Sequence, residues 1–126
     1  MLFRSLALYP ALTAIAIARC VAAFGLWGLL VAPAAWVATE YLRGLFFGGF
    51  PWVPLGNSQV TVLPVAQLAS VLGVYGLSLL VAIVNVGLAM ALLGSDRRRW
   101  VPLAAAATLL VLVAGWGTAQ IGRAHV

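Results

Sequence analysis

The chain has 126 residues, of which 65% are hydrophobic and 7% charged, whereas a soluble domain carries about a quarter charged residues. A single core in so short a chain leaves about a third of its surface in water, so this composition excludes an ordinary soluble domain and makes lipid the solvent. The net charge of +5 comes from arginines set between apolar runs rather than from a basic stripe on one solvated face, which excludes a nucleic-acid partner. With one cysteine, Cys20, and one histidine, His125, neither an internal disulfide nor a Cys- or His-paired metal site can be built. No metal and no cofactor is expected.

Crossing a bilayer takes about 20 apolar residues, and four stretches approach or exceed that length. The reading is therefore an all-α integral membrane bundle of about four transmembrane helices, at 2–18, 20–39, 68–93 and 100–118. The first, Leu2 to Ala18, contains Pro10 and reaches the lower limit when Arg4 snorkels to the interface. Met1 to Ala18 also has the layout of a signal peptide, but Arg19 stands where a cleavage box needs a small residue and three more spans follow. The second span, Cys20 to Thr39, contains Pro33, which membrane helices tolerate. In the fourth, Trp100 and Trp116 stand where interfacial aromatic belts are expected.

Arginine placement sets the orientation. Arg97, Arg98 and Arg99 between the third and fourth spans form the strongest cluster and are expected on the cytoplasmic side, with Arg19 on the same side two crossings earlier. The segment 40–67 then faces outward, although Arg4 falls on the side that the rule disfavours. Residues 40–59 carry four glycines and two prolines, which break a continuous helix. Phe46, Phe47, Phe50 and Trp52 favour the membrane interface. An interfacial or re-entrant periplasmic loop is the expected form.

Polar residues are few enough to take one by one. Glu40 and Arg43 are three apart, share a helix face and can pair. They read either as an ion pair that fixes the end of the second span or as a polar lining beneath a headgroup site. Phe50-Pro51-Trp52 and Gly56-Asn57-Ser58-Gln59 read either as an interfacial anchor or as a lipid-access wall donating hydrogen bonds to an ester or phosphate. Gly73, Gly76 and Ser78 give the third span a small-residue face suited to helix packing. Asn85 is expected to bond between helices, and Cys20 reads as an inert interfacial residue.

Four pieces, Trp36-Val37-Ala38-Thr39-Glu40-Tyr41-Leu42-Arg43-Gly44, Gly49-Phe50-Pro51-Trp52, Leu55-Gly56-Asn57-Ser58-Gln59 and Gly73-Val74-Tyr75-Gly76-Leu77-Ser78, together resemble the membrane domain of apolipoprotein N-acyltransferases. The resemblance implies a bacterial inner-membrane enzyme that moves an acyl chain from a phospholipid to the N-terminal diacylglyceryl cysteine of an apolipoprotein. It implies further helices upstream of Met1 and a periplasmic nitrilase-like domain working through a Glu-Lys-Cys triad. This chain contains no lysine, so no catalytic residue carries over, and the chain alone is expected to be inactive. The positions that match are Glu40, Arg43, Phe50, Pro51, Trp52, Gly56, Ser58 and Gln59, with lipid-side binding or support as their implied role. Phospholipid acyl donor, apolipoprotein and membrane lipids are the implied partners. Residues 121–126 resemble the in-frame translation of a sequencing adapter and are expected to be a non-native tail. The alternative function is a small four-helix proton-coupled multidrug transporter, which would hold its glutamate mid-helix in the first span.

Overall fold

The computed structural model describes residues 2–46 and 53–123, with side chains from residue 7 onward. Phe50, Pro51, Trp52 and His125 thus lie outside the described residues. What is described is helical: α1 (Leu2–Phe24), a 3-10 segment Gly25–Val31, α2 (Ala32–Leu45), a short 3-10 helix Leu55–Gln59, α3 (Leu63–Ala66), α4 (Ala69–Leu93), a 3-10 turn Arg97–Arg99 and α5 (Trp100–Arg123). Among the described residues, three helical runs are long and apolar enough to cross a membrane: Ala7–Leu45, Ala69–Leu93 and Arg97–Arg123.

The first of these runs folds back on itself. Gly25 adopts φ +61, a backbone conformation that side-chain-bearing residues avoid, and the chain reverses there. Beyond the turn, Gly28 lies so close to the backbone of Cys20 and Val21 that a Cβ would collide with it. Further along, the hydroxyls of Thr13 and Thr39 bond at 2.8 Å. α1 and the arm made by the 3-10 segment and α2 are therefore antiparallel neighbours. At their residue counts of 23, seven and fourteen, each arm measures about 35 Å, against a hydrocarbon core of about 30 Å.

The expected boundaries shift accordingly. The helix continues past Ala18 and through Arg19 to Phe24, because an arginine is a good helix former and this one is exposed, while the positive φ needed for reversal falls to Gly25. α2 continues past Thr39 to Leu45, which puts Glu40 and Arg43 inside a helix rather than in a loop. α5 reaches Arg123, so the described part of the expected tail is helical.

α4 is the central helix. Half of its most apolar window is buried inside the protein, against 6% and 11% for the other two runs. Tyr75 of α4 meets Tyr41 of α2 edge to face at 5.7 Å, and Gly87 of α4 lies against the backbone of Pro102 and Leu103 in α5. Small residues permit these approaches where lipid offers no hydrophobic drive toward association. A core of Val65, Leu77 and Leu80, flanked by Leu110 and Val113, joins α3, α4 and α5. Two ends result. The turn at Gly25 and the α4–α5 connection share one end, where Leu26 packs beside Gly94; α3 packs against Gly117 at the other.

Candidate functional site

The segment between α2 and α4 is tied down by side chains that are distant in sequence. A 3-10 helix begins at Leu55, and its N-cap, Pro54, provides no side-chain cap, so the first N–H groups need acceptors from elsewhere. Glu40 Oε1 accepts from Leu55 N at 2.7 Å, and Ser78 Oγ accepts from Gly56 N at 2.8 Å. One acceptor comes from α2 and the other from α4, so the two bonds clamp the segment between both helices. Trp36, one turn before Glu40, donates its indole N–H to the same Oε1 at 2.9 Å. Glu40 is 6% exposed and Ser78 fully buried, so a donor that loses either acceptor is left unmet away from water.

Gly56 completes the clamp by its lack of a side chain. A Cβ there would collide with the carbonyl of Val74 and crowd Leu77 and Ser78, so only glycine lets this backbone seat on α4. Glu40 Oε2 is buried without a hydrogen bond among the described residues, leaving one carboxylate oxygen uncommitted beside the clamp. Ser58 and Asn57 are exposed. Ser58 donates to Leu55 O at 2.8 Å and accepts from Gln59 Nε2 at 3.1 Å, which leaves the Gln59 amide with further bonding capacity on the rim.

The expected site residues therefore divide. Glu40 and Gly56 are brought together in the clamp, Ser58 and Gln59 lie on its outer rim, and Arg43 sits one turn beyond Glu40 in the last turn of α2. The described bonds of Glu40 come from Trp36 and Leu55. Phe50, Pro51 and Trp52 fall outside the described residues. Trp36 and Ser78 were not singled out as site residues. A tryptophan four positions before a lone membrane glutamate and a serine beside Gly76 were the signals that could have found them. Asn85, expected to bond across helices, is exposed instead. It lines an apolar groove of about 290 Å³ together with Ile17, Ala32, Trp36, Leu55, Ala82 and Val86. Trp36 and Leu55 belong to both groove and clamp, so the clamp forms one wall of the groove. Cys20 lies toward the hairpin turn, where its backbone meets Gly28, and away from Glu40.

A family model described as apolipoprotein N-acyltransferase N-terminal domain matches residues 1–87, a stretch that contains the whole clamp. Proteins named apolipoprotein N-acyltransferase are similar to the chain. The one from Geobacter metallireducens is 40% identical across 100% of this chain and 24% of its own length. That from Nitrosomonas europaea is 42% identical over 92% of this chain and 22% of its own length. That from Methylococcus capsulatus is 47% identical over 66% of this chain and 16% of its own length. The chain thus spans a quarter or less of the relatives it matches. No solved structure matches it.

Proposed function

The chain belongs to the family of the apolipoprotein N-acyltransferase N-terminal domain, and from that premise we propose that it is the membrane-embedded, lipid-side part of such an enzyme. The reaction moves an acyl chain from a phospholipid to the α-amino group of the diacylglyceryl cysteine at the N-terminus of an apolipoprotein. Without a lysine, this chain holds no Glu-Lys-Cys triad and by itself performs no transfer.

The observation that carries this reading is the clamp of Glu40 on Leu55 and Ser78 on Gly56. It fixes a short polar rim, Asn57 to Gln59, that follows closely on Leu55 in the wall of an apolar groove. That arrangement suits a phospholipid: the groove takes an alkyl chain, and the rim offers Ser58 and Gln59 to an ester or phosphate. Glu40, Gly56 and Ser78 support the rim, while Arg43, Phe50, Pro51 and Trp52 are assigned a lipid-side role by the family resemblance alone.

The membrane is the bacterial inner membrane. The four long arms, α1, the arm ending in α2, α4 and α5, each cross it, with the 46–68 segment on the periplasmic side and Arg97–Arg99 in the cytoplasm. Photoreactive phosphatidylethanolamine tests the reading on the chain in membranes. Crosslinks are expected at Ser58 and Gln59 and along the groove, and they should fade in Glu40→Ala. Uniform labelling of all lipid-facing helices, or a thioester acyl-enzyme formed on the isolated chain, contradicts it.

A further inference from the structure

We propose that the α4–α5 connection is a binding site for the phosphate of an anionic phospholipid headgroup. Three successive arginines, Arg97, Arg98 and Arg99, occupy a single 3-10 turn, and the one acid beside them is Asp96. Arg99 is half-buried and held in place. Its Nη1 donates to Gly94 O at 2.6 Å, and its guanidinium stacks 5.1 Å from the centre of the Trp100 ring. Arg97 and Arg98 are exposed, and a guanidinium presents a planar fork of donors that matches phosphate oxygens.

A recess gives this charge a place to act. A cavity of about 220 Å³ separates the hairpin turn from the connection, with Leu26, Trp27, Met90 and Leu93 on its apolar side and Asp96 and Arg99 on its polar side. Trp27 and Trp100 are 44% and 53% exposed, and exposed tryptophans set this level at the headgroups. Leu92 and Leu93, 73% and 72% exposed, end α4 beside the recess and offer apolar surface to an acyl chain. Basic pockets between membrane helices bind anionic headgroups. Three positive groups against one negative favour a headgroup of net negative charge over a zwitterion, whose ammonium cancels its phosphate. The arginines lie outside residues 1–87 matched by the family model, and the recess shares no lining residue with the groove beside the clamp.

Native mass spectrometry of the full chain with added phosphatidylglycerol, phosphatidylcholine or inorganic phosphate tests the proposal. The wild type is expected to retain phosphatidylglycerol preferentially, with inorganic phosphate at equal concentration failing to displace it. Arg97→Gln with Arg98→Gln should weaken that retention about twenty-five-fold, a factor of about five for each arginine near an anionic surface. Arg97→Lys with Arg98→Lys should keep it within a fewfold. Should the glutamine pair fail to insert, salt titration of the wild type decides, since retention must fall as salt rises. Equal retention of the two lipids, full displacement by phosphate, an unchanged preference in the glutamine pair, or indifference to salt overturns the proposal.

Discussion

Glu40 is one of two acidic residues in the chain, and its position shows what a buried carboxylate can do without chemistry. It supplies a helix cap from 15 residues away, with Ser78 doing the same from 22. Glu40→Ala leaves a backbone N–H and an indole N–H without their acceptor, and Ser78→Ala leaves one N–H. Each buried donor left unmet costs about 1–3 kcal/mol, so Glu40→Ala is expected to destabilise more than Ser78→Ala, with Glu40→Gln milder because it retains an acceptor. Unfolding of each variant in mixed micelles, together with protease nicking within 53–62, measures this; equal stability of Glu40→Ala and wild type would show that the clamp carries no load. Glu40 was legible in the sequence because an acid among apolar residues is costly. Its partners were not, since the N–H groups of Leu55 and Gly56 have no side-chain signature and become acceptor-seeking only when Pro54 starts a 3-10 helix without a cap of its own.

Helices were legible through apolar run length, which places α4 at Ala69–Leu93, one residue from the expected start. Turns were harder to read. Arg19 marked a membrane boundary by charge, but the reversal depends on backbone conformation and waits for Gly25. A second glycine shapes α4: Gly73 has φ 64 and ψ −171 within the helical run, a region that essentially only glycine enters. Nothing stands within 4 Å of a Cβ built on Gly73 or Gly25, so the cost of Gly73→Ala is conformational, about 1–3 kcal/mol. Gly25→Ala carries a conformational cost of the same kind, since its φ is also positive. Thermal unfolding of the two variants measures this, and a Gly73→Ala variant as stable as wild type would mean that the kink relaxes to regular helix at little cost. The kink lies directly before Tyr75, Gly76 and Ser78, so it aims the stretch of α4 that meets α2 and the clamped segment.

At the scale of the molecule, α4 is the shared wall: it meets α2 through Tyr41 and Tyr75, the clamped segment through Ser78 and α5 through Gly87. The architecture also gives the two ends different characters, a polar rim at Asn57–Gln59 and a cationic turn at Arg97–Arg99. With Cys20→Ala as background, Ser58→Cys is expected to react with a membrane-impermeant maleimide in intact cells, and Arg97→Cys only after permeabilisation. The opposite pattern would invert the orientation assigned from the arginines. Composition made the membrane setting legible at once, because 65% hydrophobic residues have no other home in so short a chain. The hairpin and the central position of α4 were not, since hydropathy reports how long a helix is and says nothing of which helices touch.

Whether this chain is the membrane part of an acyltransferase is tested most directly in a full-length relative. In the Geobacter metallireducens relative, the part that corresponds to residues 1–87 is replaced by residues 1–87 of this chain, the stretch matched by the family model, and N-acylation of a diacylglyceryl lipopeptide is measured at matched levels of inserted protein. A functional membrane domain predicts that the chimera transfers the acyl chain and that Glu40→Ala within it lowers the rate. A chimera that inserts normally yet transfers nothing contradicts the account.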